Sequence, residues 1–183
     1  TRELDILSAD ICATKAHHYP DYNKLGGRIL SSNITKETLN EYKDVVDILN
    51  NKGLLSDSFF DFTTKNIEAI NTFFDYSRDL LFDYFAIKTL ERSYLLKIGD
   101  RVVERPQYLY MRVAVGICKG DVDMALRIYD DLSQHFYTHA TPTLFNAGTR
   151  RAQMSSCFLI GNKGDDIDGL FDTIKDVAKI SKW

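Results

Sequence analysis

The sequence predicts a mainly α-helical domain with one small β-hairpin, leading into the first strand and helix of an α/β unit. Three observations carry this. Apolar residues recur at helical spacing through most of the stretch 3–136. Two short β-prone runs appear once, at 94–98 and 101–104, about the turn Gly99-Asp100. From His139 onward the pattern breaks into loop, turn, short apolar run and renewed helix.

Residues 3–16 place Leu4, Ile6, Leu7, Ile11 and Cys12 largely on one helix face, ending near His17-His18-Tyr19-Pro20. The adjacent histidines point in different directions and have no carboxylate or cysteine spaced to join them, so they read as a helix end, not as metal ligands. Residues 21–33 form a second helix with Gly26-Gly27 inside it. Each glycine there costs about 1 kcal/mol relative to alanine, which a close helix crossing would explain. No Lys-Ser/Thr follows and no strand precedes, so they are not a phosphate loop. Thr35-x-x-Thr38 is expected to open a third helix with the stripe Leu39, Tyr42, Val45, Val46 and Leu49, stopped at Gly53.

The phenylalanine-rich stretch 56–74 reads as core. In 75–93, Lys88 and Glu91 read as a solvated i,i+3 helical pair. The hairpin follows, then Pro106 starts a helix through Leu109, Met111, Val113, Ala114, Val115 and Ile117, ended by Gly120, with Cys118 as a small buried hydrophobe. Asp121 caps the next helix, whose buried face is Met124, Ala125, Ile128, Tyr129, Leu132 and Phe136.

Composition bounds the functional class. With 183 residues, 44% of them apolar, the chain can build one sizeable core, and a formal charge of only −3 argues against a nucleic-acid surface. No window of ~20 apolar residues and no signal-peptide pattern occurs, which predicts a soluble protein without a membrane role. Three cysteines without CxxC or Cys/His metal spacing suit a reducing, cytoplasmic setting. The start at Thr1 without methionine and the stop at Trp183 inside a helical pattern suggest a piece of a longer chain.

The stretch from His139 to Leu170 bears the chemistry. Thr141 and Thr143 flank Pro142, Asn146-Ala147-Gly148 signals a turn, and Ser155-Ser156-Cys157 opens the apolar run Cys157-Phe-Leu-Ile160, expected as a buried strand. Gly161-Asn-Lys-Gly164 closes it, and Asp165-Asp166 stands before the helical stripe Ile167, Leu170, Phe171, Ile174, Val177 and Ala178. A strand-to-helix connection of this kind is where α/β folds bind ligands. From the residues alone, a serine pair before a cysteine also reads as an ordinary buried strand start.

Ala140-Thr-Pro-Thr-Leu-Phe-Asn-Ala-Gly-Thr149 followed by Gln153-Met-Ser-Ser-Cys-Phe-Leu159 resembles the large, catalytic subunit of class I ribonucleotide reductase, in its eukaryotic-type form. Phe85-Ala-Ile-Lys-Thr-Leu-Glu-Arg-Ser-Tyr-Leu95, Glu104-Arg-Pro-Gln107 and Met111-Arg-Val-Ala-Val-Gly116 extend the likeness upstream, so that it covers 20–182 in order. The resemblance implies a helical N-terminal domain over 1–138 and the start of an α/β barrel over 139–183. It also implies that the chain is an N-terminal fragment lacking a preceding ATP-cone domain, and inactive by itself.

The same resemblance implies roles. Cys157 would be one redox-active thiol of a pair whose partner lies outside the chain, and Thr141 and Ser156 would contact a ribonucleoside diphosphate. Asp165, Asp166, Ile167 and Lys182 would meet an ATP or deoxynucleotide effector, with no cofactor or metal bound by this chain directly. Implied partners are a small subunit carrying a di-iron tyrosyl radical, thioredoxin or glutaredoxin, and a second large subunit paired through the 167–182 helix. Hydroxyls suit a sugar near a radical because they bind without fixed charge. A lysine suits phosphate, and carboxylates accept from ribose hydroxyls or base amines. The competing readings are ST-turns for the hydroxyls, a dipole-favoured acidic helix start for the aspartates, and a helical scaffold or interaction domain without catalysis for the whole.

Overall fold

The computed structural model describes residues 2–118 and 120–182; the expected uncapped stop at Trp183 falls outside them. The first two helices, α1 (Arg2–Lys15) and α2 (Asp21–Glu37), cross at Gly26, while Gly27 lies against the backbone of Phe82 and Asp83. A Cβ on Gly26 would stand 3.2 Å from Ala9 O and 3.3 Å from Cys12 Cβ, and one on Gly27 would stand 2.3 Å from Phe82 O. Such contact admits only small residues on the facing helix. This corrects the expected face of α1, which buries Ala9 and Cys12 and turns Leu4, Leu7 and Ile11 outward.

A second correction concerns Thr35 and Thr38. Their hydroxyls donate back to Ser31 O (3.0 Å) and Ile34 O (2.7 Å), extending α2 to Glu37 instead of opening a new helix. The next helix, α3 (Tyr42–Asn51), begins later but buries the expected Tyr42, Val45, Val46 and Leu49. Gly53, at φ +69, ends its loop. Then come α4 (Asp57–Lys65), capped by Ser56, α5 (Ile67–Phe73), a 3-10 segment (Tyr76–Leu81), α6 (Tyr84–Thr89) and one π turn (Leu90–Tyr94). Phe59 is buried, Phe60 and Phe62 pack partly buried against the core and Phe74 stands edge-on to Tyr42, Tyr108 and Tyr129, so most of the aromatic stretch is core, whereas Phe73 is exposed.

The hairpin forms as predicted, β1 (Lys97–Ile98) against β2 (Arg101–Val102) about Gly99 at φ +60. From Pro106 runs α7 (Pro106–Cys118), buried from Pro106 through Val115; it is the central strut of the domain. Asp121 accepts from Met124 N (3.0 Å) to cap α8 (Val122–Ser133), which packs on α7.

Across α7 and α8 runs a buried polar relay. Asp75 N donates to Tyr129 Oη (3.2 Å), Tyr129 to Gln107 Oε1 (2.8 Å), and Gln107 Nε2 to Asp79 Oδ1 (2.8 Å). Burial pushes the Asp79 carboxyl from 3.8 up to about 6, against the Gln107 hydrogen bond and the Arg105 charge, which pull it down. The folded protein therefore holds this proton at pH values where the unfolded chain has lost it. The stability that follows is complete below pH ~4 and is lost as pH rises through about 6. Asp79→Asn is expected to match the parent near pH 4 and to exceed it by up to about 3 kcal/mol above pH 7. Urea midpoints across that range measure it.

Candidate functional site

The stretch from Thr141 is a short helix, α9 (Thr141–Asn146), where a loop was expected. Pro142 lies in its first turn, where the preset φ favours helix and the missing N–H costs nothing. The Asn146-Ala-Gly148 turn is present, with Gly148 at φ +77. Beyond it the chain is tied to the loop before α4: Ser56 N donates to Gly148 O and Arg150 N to Leu54 O, each 3.1 Å, while Arg150 Nη2 meets Asp57 Oδ1 at 3.0 Å.

From the other side, α7 grips α9. Arg112 and Glu104, each 1% exposed, pair through Nε–Oε1 at 2.7 Å and Nη2–Oε2 at 3.1 Å. The same guanidinium donates to Ala147 O (2.7 Å) and Leu144 O (3.1 Å), and Glu104 Oε2 accepts from Leu96 N (3.1 Å) at the hairpin stem. Charge-assisted bonds in this fork geometry satisfy a pair that would otherwise be costly to bury. Sequence reasoning gave Arg112 and Glu104 no role. The available signal was an arginine inside the apolar run 108–115, since a buried arginine needs partners.

The cysteine-bearing segment returns to α9. Asn146 Nδ2 donates to Gln153 O (2.6 Å) and Thr143 Oγ1 to Met154 O (3.1 Å), which brings Ser155, Ser156 and Cys157 just past two anchors on the helix that starts at Thr141. Thr141 Oγ1 shares a hydrogen bond with Tyr94 Oη (3.0 Å), and Ser156 Oγ lies 3.7 Å from Cys157 Sγ. Cys157 is the exposed thiol of the three, whereas Cys12 is buried and Cys118 half-buried, its thiol pushed up by burial and the Asp121 charge. A cleft of about 610 Å³ between α4 and the C-terminal end of α7 is lined by Gly148, Thr149, Ala152 and Met154 but not by Thr141 or Cys157.

The buried strand expected at 157–160 is not formed, and Cys157, Phe158, Leu159 and Ile160 are exposed. A strand needs a neighbour for its backbone groups, and among the described residues the hairpin is the only sheet. Regular structure resumes at α10 (Ile167–Lys182), with Asp166 Oδ1 accepting from Gly169 N (2.6 Å) as the expected acidic cap. Asp165, Asp166 and Ile167 are exposed at its start and Lys182 at its far end. Its stripe of Ile167, Leu170, Phe171, Ile174 and Val177 is exposed too. Among the described residues, no helix is long and apolar enough to cross a membrane.

Residues 80–152 match the profile of the ribonucleotide reductase all-alpha domain. The whole chain aligns at 51% identity with the ribonucleoside-diphosphate reductase large chain of Cryptosporidium parvum, covering 24% of that protein. It aligns over its full length at 47% with the large subunit of vaccinia virus and at 44% with large chain 2 of Saccharomyces cerevisiae, covering 25% and 22% of them. The chain thus spans about a quarter of the length of the curated relatives it matches. Its helical domain with a small hairpin and its full-length identity to these proteins show that the chain belongs to the family of ribonucleoside-diphosphate reductase large subunits.

Proposed function

We propose that this chain supplies part of the substrate face of a radical reductase that converts ribonucleoside diphosphates to their 2′-deoxy forms. The observation that carries the reading is the stitching of the Cys157 segment to α9 through Thr143 and Asn146, which sets an exposed thiol and its serine neighbour close to the helix that begins at Thr141. Cys157 and a second cysteine outside the chain each give up a hydrogen and become a disulfide. The 2′-hydroxyl leaves as water, and hydrogen takes its place. A thioredoxin-type dithiol then resets the pair by exchange. Ser156 and Thr141 hold the nucleotide through uncharged hydroxyls. The radical itself belongs to a di-iron tyrosyl centre in the small subunit, and this chain binds no cofactor of its own.

The division at 138/139, between a helical layer and a barrel that starts with this segment, belongs to the same reading, as does a cytoplasmic setting. So does an ATP or deoxynucleotide effector at Asp165, Asp166, Ile167 and Lys182. Ile167 and Lys182 stand at opposite ends of α10, roughly 22 Å apart at 1.5 Å rise per residue. One nucleotide meets both ends most simply when two copies pair their exposed α10 stripes in opposite directions, which sets Lys182 of one beside Asp165 of the other.

Alkylation tests the assignment. In the reduced full-length protein, iodoacetamide is expected to modify Cys157 ahead of Cys12, a ribonucleoside diphosphate to slow that reaction, and activity to fall in step with it. Full activity after stoichiometric modification of Cys157 would remove it from the mechanism.

A further inference from the structure

We propose that Arg112 is a positioning residue for substrate binding: locked by Glu104, its guanidinium fixes the end of α9 and thereby sets where Thr141 stands. This rests on the reading of Thr141 as a substrate contact. A six-residue helix is too short to hold its own shape, and its last carbonyls have no partner within it. Thr143 O and Asn146 O accept from Ala147 N and Thr149 N just beyond it, and Arg112 takes up two carbonyls at the same end, donating to Leu144 O at 3.1 Å and to O of the capping residue Ala147 at 2.7 Å while two further N–H groups bind Glu104.

The backbones on either side leave no slack. A Cβ on Gly116 of α7 would stand 2.4 Å from Gly148 N, and one on Gly148 would stand 3.0 Å from Arg112 Cγ. The start of α9 is held from the same source. Thr141 Oγ1 meets Tyr94 Oη at 3.0 Å, and the Tyr94 ring lies 4.8 Å from that of Phe145. Tyr94 leads into the hairpin stem, which Glu104 ties down through Leu96 N. One buried ion pair therefore governs both ends of the helix. Lysine cannot replace arginine there, because a point charge cannot serve a carboxylate and two carbonyls in one plane.

The test uses the full-length protein with its radical-bearing small subunit, in the variants Arg112→Lys, Thr141→Ala and the double exchange. Arg112→Lys is expected to raise KM for a ribonucleoside diphosphate on the order of ten-fold while kcat stays within about three-fold. Thr141→Ala should do likewise, and the double variant should rise no further than the larger single effect, because both act through one contact. Amide exchange should quicken over 143–149 and remain unchanged in α1 and α2. An unchanged KM in Arg112→Lys, or KM effects that multiply in the double variant, would overturn the proposal. If Thr141→Ala leaves KM unchanged, the substrate reading of Thr141 fails; exchange then decides the pinning alone, with unaltered protection over 143–149 overturning it. Should Arg112→Lys not fold, Glu104→Asp, which keeps the counter-charge but draws the carboxylate back by one methylene and loosens the lock on Arg112, gives the same readouts.

Discussion

Exchange of Cys157 for serine in the full-length protein is expected to lower multiple-turnover reduction of CDP by several orders of magnitude, with nucleotide affinity largely kept. Removing a hydroxyl as water and replacing it by hydrogen consumes two electrons, and in this reading two thiols supply them. A serine hydroxyl is no reductant under these conditions and cannot close a disulfide, so the cycle stops although the shape of the side chain is nearly preserved. The position tolerates the change structurally, since Cys157 is exposed and meets Ser156 Oγ at 3.7 Å. Coupled assay with a thioredoxin-type reductant gives the rate, and unchanged circular dichroism shows that folding is not the cause.

Glu104→Ala is expected to cost about 3–5 kcal/mol of stability, read as a lowered urea midpoint. The figure follows from what remains: a guanidinium 1% exposed with no counter-charge, and Leu96 N without its acceptor. Since whole domains are stable by only about 5–15 kcal/mol, that loss removes a large share of the margin. Replacing both partners by apolar residues, Glu104→Leu with Arg112→Met, should recover much of the loss. The carbonyls of Leu144 and Ala147 would still lack their donor. Stability and the ordering of α9 thus separate in the double variant.

Where side chains act on their own backbone, the sequence was readable. Pro106 and Asp121 start α7 and α8 where their chemistry requires, and Gly99-Asp100 turns the hairpin as expected. Asp166 caps α10 as an acidic residue at a helix start should. The misreadings came where a distant partner decides. Leu4, Leu7 and Ile11 look like a buried stripe, but the approach of Gly26 admits only Ala9 and Cys12. Thr35 and Thr38 are the exception, misread although their partners are local: the same hydroxyl can cap a helix start or bond the carbonyl four residues back, and here it does the latter. An apolar run at 157–160 reads as a strand, yet strands are defined by a neighbour that the described residues do not supply.

For the site, the motif around Cys157 was legible only through family resemblance. Thr143 and Asn146, which fasten that motif to α9, were invisible because their partners are the carbonyls of Met154 and Gln153, and a carbonyl leaves no trace in a sequence. Arg112 had the same concealment, with two of its acceptors on the backbone.

The most direct measurement is a single turnover. Full-length protein, reduced and freed of external thiol, is mixed with its radical-bearing small subunit and CDP, quenched with an alkylating reagent, and digested for mass spectrometry. The account predicts that Cys157 is recovered in a disulfide, in proportion to the deoxynucleotide formed. Deoxynucleotide produced in equal amount while Cys157 is recovered wholly alkylated would contradict it.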